Sequence, residues 1–591
     1  MLRRLLIGLA LTGWSAAQAV PPMPYRAAGL SERQAARFLL QRLTFGPRPG
    51  EVESVLAQGL ERWLEGQLDG TLPEQEVASR LADLRCLSMH DGEERTAYVS
   101  RNRMMELAEQ EALKKWTDGS ERSRQIYEAR LREFKEAQGL SSYDDLFDEL
   151  RYQKLIRCRY AHNQLREVLT DFWFNHFNVA AVNDNVRVNT LSYERDVLRP
   201  LALGSFPLML HHTSQHPAML YYLDNAQSSA AAAARTTLNF RYEAAPKEEQ
   251  EDLRQGQPLK RKNGGLNENY AREVMELHTL GVDGGYSQKD VSELARCLSG
   301  WTVLYPEAKN DNLRALIEPG EVLGYVQHGD FLFRADWHDS DAKTLLGQSF
   351  PAGGGLEEGE QALELLAQHP STARMLARKL AQRFVCDEPS NALIERLAEA
   401  FRRSHGEIRP MLVALVESPE FWSEAIRSSK VKSPLEYFIS CLRCCDADLK
   451  FERGHFYWLQ RMGEPLYGCA PPTGYPEDSR SWVSTSSLVN RLNFATQLSQ
   501  NRIKGITVDW NRYLHNGQEP GQALLPLLLP DRPPASNSLS AEKLLTGGDG
   551  YAPQRNWFRN LKPVDYERRR RQVWASKVAG VLLASPEFQY R

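Results

Sequence analysis

Little in this chain of 591 residues commits it to a specialised class. Cysteine is scarce: eight in so long a chain make no disulfide scaffold, and no pairing can be read from their positions. Cys441, Cys444 and Cys445 lie at helical spacing, but two adjacent cysteines and one a turn earlier give no second ligand pair for zinc. The segment Phe438 to Cys445 reads as a buried helix in which cysteine serves as a small hydrophobe. Charge of either sign is not in excess. The formal balance of −3 argues against a nucleic-acid binder, which would carry a basic footprint. Beyond the N-terminus no apolar run reaches the roughly 20 residues that span a bilayer, so no transmembrane anchor is expected there. Phosphate-cradling glycine loops, nucleophile elbows and zinc-protease helices are missing from the sequence, and strand-like alternation is scarce.

The first nineteen residues have the order of a cleaved export signal. Arg3 and Arg4 form a positive start, Leu5 to Leu11 a short apolar core, and Ala17-Gln18-Ala19 a small-x-small cleavage pattern. Export to the periplasm or medium is expected, with cleavage after Ala19. The general secretory route is favoured over the twin-arginine one, whose pattern the flanking residues match only partly. Removing the signal takes away two arginines and moves the formal charge from −3 to −5.

Helical periodicity dominates what remains, predicting a mainly α fold. The expected architecture is one large multi-helix body over residues 20–591, with long loops and at most a short β-hairpin, at Leu323 to Phe333. A serine cap starts a helix at Ser31 to Leu43, and Phe45-Gly46-Pro47 stops it. Residues 95–170 carry three long charged helices, broken near Asp118-Gly119 and Gly139-Leu140-Ser141. Residues 226–265, alanine-rich and then rich in Glu, Lys and Gln, read as a mobile surface insertion, and 524–538 as a proline-rich loop. Ser418-Pro419-Glu420-Phe421 recurs as Ser585-Pro586-Glu587-Phe588. Each is a helix start with serine as cap and proline in the first turn.

Several blocks stand out together. They are Arg42 to Pro47; Phe172-Trp173-Phe174-Asn175-His176-Phe177-Asn178-Val179; His216 to Asn225; and Asn267 to Val282, continuing through Gly285-Tyr286 and Asp290-Val291 to Gly300-Trp301-Thr302. His338-Asp339, Lys343 to Gly347, Lys430 to Pro434 and Ser585 to Gln589 complete the set. With these blocks the chain resembles the bacterial family filed as domain of unknown function 1800, from about residue 30 to Arg591. The resemblance implies export, a mainly helical fold and genetic association with a second exported family resembling alkaline phosphatases and sulfatases. It implies no established reaction, cofactor or catalytic residue. Two departures are the 226–265 insertion and Phe38, where many relatives carry histidine.

At about 100° per residue, the helix starting at Asn267 places Glu268, Asn269, Arg272, Glu273 and Glu276 on one polar face. Tyr270, Ala271, Val274, Met275 and His278 fall on the other, so Glu276 and His278 diverge and no Glu-x-x-His metal motif forms. That face is either a solvated Glu–Arg ladder or a carboxylate cluster around Arg272 able to hold a cation or substrate. Leu165, Val168, Leu169, Phe172 and His176 form a second stripe, with Asn175 and Asn178 to its side, and His176 and His278 are able to meet across a helix contact. His338-Asp339 lies in a polar segment ahead of an expected helix. Two functions fit. The first is a non-enzymatic binding or assembly protein that works with an exported phosphatase- or sulfatase-like partner. The second is an exported hydrolase or metal-assisted enzyme, with room for a divalent metal. Its candidate catalytic residues are Glu268, Arg272, Glu273, Glu276, His176 and His278; candidate binding residues are Asn175, Asn178, Asn267, Asn269, His338 and Asp339.

Overall fold

Helices begin where the sequence supplies a side-chain oxygen for the free N–H groups of the first turn. In a computed structural model, Ser31 and Gln34 close a capping box at the start of α1 (Glu32–Leu43). The structure describes residues 20–90, 92–110, 120–231, 233–245, 250, 265–305, 324–427, 429–514, 520–529 and 563–591. The export signal and the Asp118-Gly119 break lie outside these residues. In chain order, α2 (Glu121–Gln138) ends at Gly139, whose φ of 62° supplies the left-handed stop. A Ser142–Asp145 box then starts α3 (Tyr143–Tyr160), and α4 (Gln164–His176) follows after a break at Ala161.

Next come α5 (Phe206–Gln215) and α6 (Glu268–Glu273), the latter capped by Asn267 and running directly into a wide π turn, Val274–Thr279. The Thr279 hydroxyl donates to the Val274 carbonyl at 2.7 Å, five residues back, and so supports the wider turn. The Ser287–Asp290 box starts α7 (Gln288–Cys297). A small antiparallel sheet follows, with β1 (Trp301–Val303) and β2 (Val326–His328) flanking β3 (Phe331–Phe333). β4 (Lys343–Leu345) and β5 (Gln348–Phe350) form a further hairpin. The chain returns to helices in α8 (Pro370–Phe384), α9 (Asn391–Arg403), α10 (Pro434–Cys444), α11 (Thr485–Ser499) and α12 (Pro563–Ala584).

The fold is mainly α, with strands only in small sheets. A continuous apolar core runs from Val20 to Phe588. It holds four fully buried tryptophans, and three of their indoles find backbone acceptors: Trp173 on Ala202, Trp422 on Val416 and Trp510 on Ser499, at 2.7–2.9 Å. Phe38 packs among Phe421 and Trp422, with ring centroids 5.2 and 5.7 Å away. The cysteine helix is buried as its apolar pattern requires, and all eight sulfurs are unbonded. Both Ser-Pro-Glu-Phe copies start short helices with serine caps.

Four expectations need correction. Residues 226–231 and 233–245 do not stand wholly outside the core. Ser228 and Ser229 are buried, Thr302 Oγ donates to the Ala226 carbonyl, and residues 237–244 form a helix that buries Leu238. Residues 246–249 and 251–264 lie outside the described residues. Leu524 to Leu528 belongs to a helix, Pro520–Leu528, not a loop, because its leucines pack against α12; 530–538 lie outside the described residues. The expected single hairpin is β2–β3, but β1 pairs onto its other edge, and the polar segment at His338 leads into β4–β5 where a helix was expected.

Candidate functional site

The residue pattern of α4 and its C-terminal end separates two jobs. Phe172, Trp173 and His176 point into the core, while Asn175 and Asn178 face a segment nearly three hundred residues on. The Asn175 amide donates to the Tyr475 carbonyl at 2.7 Å, and the Tyr475 N–H donates back to Asn175 Oδ1 at 2.6 Å. Asn178 donates to the carbonyls of Cys469 and Pro471 at 2.9 and 2.8 Å, and Tyr222 Oη donates to that of Ala470 at 2.6 Å. Segment 469–475 is thus strapped onto the end of α4. Gly474 makes the close approach: its φ is +71°, and a Cβ there would stand 2.3 Å from the Asn175 carbonyl oxygen.

Behind this strap opens a cleft, part of it continuous with solvent. Its floor is charged. Lys154 of α3 reaches Asp171 of α4 at 2.8 Å and Glu194 at 3.4 Å. Arg383 of α8 meets Glu436 Oε1 of α10 at 3.0 Å and Glu477 at 3.5 Å, and Arg591 binds the same Glu436 oxygen. Lys430 pairs with Asp387 at 2.6 Å. Burial pushes the Glu436 carboxyl up, but Arg383 and Arg591 outweigh it and hold the group down at about 2. Glu464 goes the other way. Burial first, then the neighbouring carboxylates Asp171 and Glu436, raise it to about 8, although the Leu435 N–H donates to it at 2.7 Å.

That inversion has a measurable consequence. A carboxyl raised in the folded state gives stability that is full below its ordinary 4.5 and lost as pH rises toward 8, because only the unfolded chain then ionises freely. Glu464→Gln keeps the acceptor and removes that ionisation. It is expected to stabilise the protein at neutral pH by about 1–2 kcal/mol and to flatten the pH dependence of stability above 4.5. Urea unfolding at several pH values checks this.

The carboxylates of the longest block lie elsewhere. Glu268 accepts from Gln288 at 2.9 Å and from Ser292, both of α7, and Arg272 bridges to Gln288 and to Glu276 at 3.5 Å. Asn267 caps α6 and ties the Leu223 carbonyl, and Asn269 is exposed. Glu268, Arg272 and Glu276 therefore form a half-exposed ladder. Glu273 is half-buried, and burial, then Glu276, raises its carboxyl above the usual range. His278 is buried on the far side and meets His176, with ring centroids 6.2 Å apart. The six candidate catalytic residues therefore do not converge on one point, because α6 turns Glu268 and Arg272 toward α7 while the π turn after it carries His278 toward α4.

His338 and Asp339 sit in a third place. His338 Nδ1 donates to the Ser299 carbonyl at 2.8 Å, while Nε2 faces Glu358 at 3.1 Å, and Lys343 reaches the same carboxylate. Asp339 takes both arms of Arg296 at 3.0 Å. Among the described residues, no three His, Cys, Asp or Glu side chains gather as a metal site requires.

Sequence reasoning missed the cleft floor. Asp171, Arg383, Glu436, Glu464 and Glu477 are ordinary surface-type residues until the helices pack. Two signals were there to find. Lys430 and Ser433 belong to the block Lys430 to Pro434, and Pro471-Pro472, Gly474 and Pro476 mark a tight turn.

Fold and cleft together define a large, mainly helical protein with a strapped, charge-lined internal cleft. The chain belongs to the family described as Protein of unknown function (DUF1800), whose model matches residues 38–590. No curated protein and no solved structure matches it.

Proposed function

We propose that this chain is an exported binding or assembly protein, not itself an enzyme, and that it works beside an exported phosphatase- or sulfatase-like partner. The cleft behind the 469–475 strap is its ligand pocket, suited to a small polar molecule bearing both charges, because its floor offers cations and carboxylates side by side. One observation carries the reading: most polar groups of the family blocks, His278 Nε2 apart, are engaged within the protein itself. Asn175 and Asn178 hold the strap, Asn267 caps its own helix, Glu268 and Arg272 bind α7, and His338 and Asp339 end in closed networks. Side chains committed to internal partners organise a scaffold and leave little free for chemistry. A hydrolytic reading has one support, the raised Glu464 carboxyl, which suits a general acid.

Cell fractionation and native purification test the proposal. The expected result is a periplasmic or secreted chain beginning at Val20 that co-elutes with a phosphatase- or sulfatase-like protein and alone turns over no phosphate or sulfate ester. Full-length protein retained in the cytosol would overturn export. Hydrolysis of p-nitrophenyl phosphate or sulfate by the isolated chain, abolished in Glu464→Gln, would establish the enzymatic reading instead.

A further inference from the structure

Outside the cleft lining, one lysine has surroundings that differ from those of the other buried lysines. Lys154, Lys343 and Lys430 each hold a carboxylate. Lys379 of α8 is partly buried, and among the described residues no carboxylate lies within ion-pair reach of it. Its Nζ lies 3.1 Å from His176 Nδ1. The state of that ring follows from its other nitrogen. His176 Nε2 is 3.1 Å from the His278 carbonyl, which can only accept, so Nε2 carries the hydrogen and Nδ1 presents a lone pair to the lysine. Burial, reinforced by the Lys379 charge, drives His176 well below its ordinary value, so the imidazole stays neutral. The His278 ring stands next to it, buried, and among the described residues its Nε2 has no partner.

We propose that Lys379 is a nucleophilic amine that captures a small aldehyde or α-keto acid as an imine. His176, fixed by the His278 carbonyl, is its positioning residue. A nucleophile, a ring nitrogen lone pair within hydrogen-bond reach to hold it, and a third group that orients that ring are an arrangement such chemistry can use. Burial also lowers Lys379 to about 8, against the pull of Glu477, so free amine is available near neutral pH. The ammonium first loses one proton to water. The Nζ lone pair then attacks the carbonyl carbon while one of its two N–H groups is held by His176 Nδ1. The C=O bond is replaced by C=N, and the oxygen leaves with two hydrogens as water; no electrons are transferred. The proposal does not depend on export or on the cleft as a ligand pocket.

Glyoxylate with sodium cyanoborohydride, followed by peptide mass spectrometry of the full chain, tests it. Lys379 is expected to become carboxymethylated about tenfold or more faster near pH 7 than exposed lysines such as Lys504. The pH profile of its labelling should have a midpoint near 8. Lys379→Arg should lose the adduct, and His176→Phe should slow labelling with an unchanged circular dichroism spectrum. If His176→Phe does not fold, the wild-type pH profile decides alone. Labelling no faster than at Lys504, or a midpoint at the ordinary lysine value of 10.5, would overturn the proposal.

Discussion

Glu436→Ala is expected to lower the unfolding free energy by about 3–5 kcal/mol, the range for removing one partner of a buried ion pair. Glu436 receives Arg383 at 3.0 Å and Arg591 on the same oxygen, and it also closes the Ser433 capping box at the start of α10. Truncation leaves two guanidinium groups facing each other in a poorly solvated floor. The pH behaviour follows with a definite sign. The group is depressed from 4.5 to about 2 in the folded state, so its contribution is complete above 4.5 and is lost as pH falls toward 2. Acid unfolding of the wild type should therefore steepen across that window, and the variant should show a shallower loss there. A double variant, Glu436→Leu with Arg591→Leu, should recover part of the stability, because replacing a pair costs less than breaking it. Equal stability of Glu436→Ala and wild type in urea would show that the floor is better hydrated than its burial indicates.

Gly474→Val is expected to cost about 2–4 kcal/mol and to release the strap from α4. The left-handed backbone penalises any residue with a Cβ by about 1–2 kcal/mol, and the clash with the Asn175 carbonyl adds overpacking of similar size. The readout is local. Cys469 is 7% exposed and lies at the start of the strap, so an accessible thiol should appear in the variant under native conditions. Tyr475 stacks near Trp482, with centroids 6.0 Å apart, so tryptophan emission should change as well. Thiol titration with no new reactive cysteine would mean that the strap is held by contacts other than Asn175 and Asn178.

The contrast between the two histidine-bearing helices shows how far the sequence could be read. The spacing of Leu165, Val168, Leu169, Phe172 and His176 put His176 inside an apolar stripe, and the wheel put His278 inside another. That the two stripes face each other, that the His278 carbonyl orients the His176 ring, and that Lys379 completes the group needed the packing of α4, α8 and the π turn after α6. The π turn itself departs from the regular 100° step on which the wheel rests. The polar face of α6 was legible as a face but not as a partner surface, because Gln288 and Ser292 of α7 arrive only through the turn at Gly281 to Gly285.

By itself the sequence determined the family, the mainly helical class, the caps at Ser31, Ser142 and Ser287, and the apolar stripes of the principal helices. These are local properties, set by side-chain spacing of three or four residues and by which residues can accept a first-turn N–H. Tertiary structure alone decided the cleft. Lys154, Asp171, Arg383, Glu436, Glu464, Glu477 and Arg591 come from six distant segments, and each looks like a solvated charge in its own stretch. Burial removes the water that would screen them, so only in the packed protein does one carboxyl fall to about 2 while its neighbour rises to about 8.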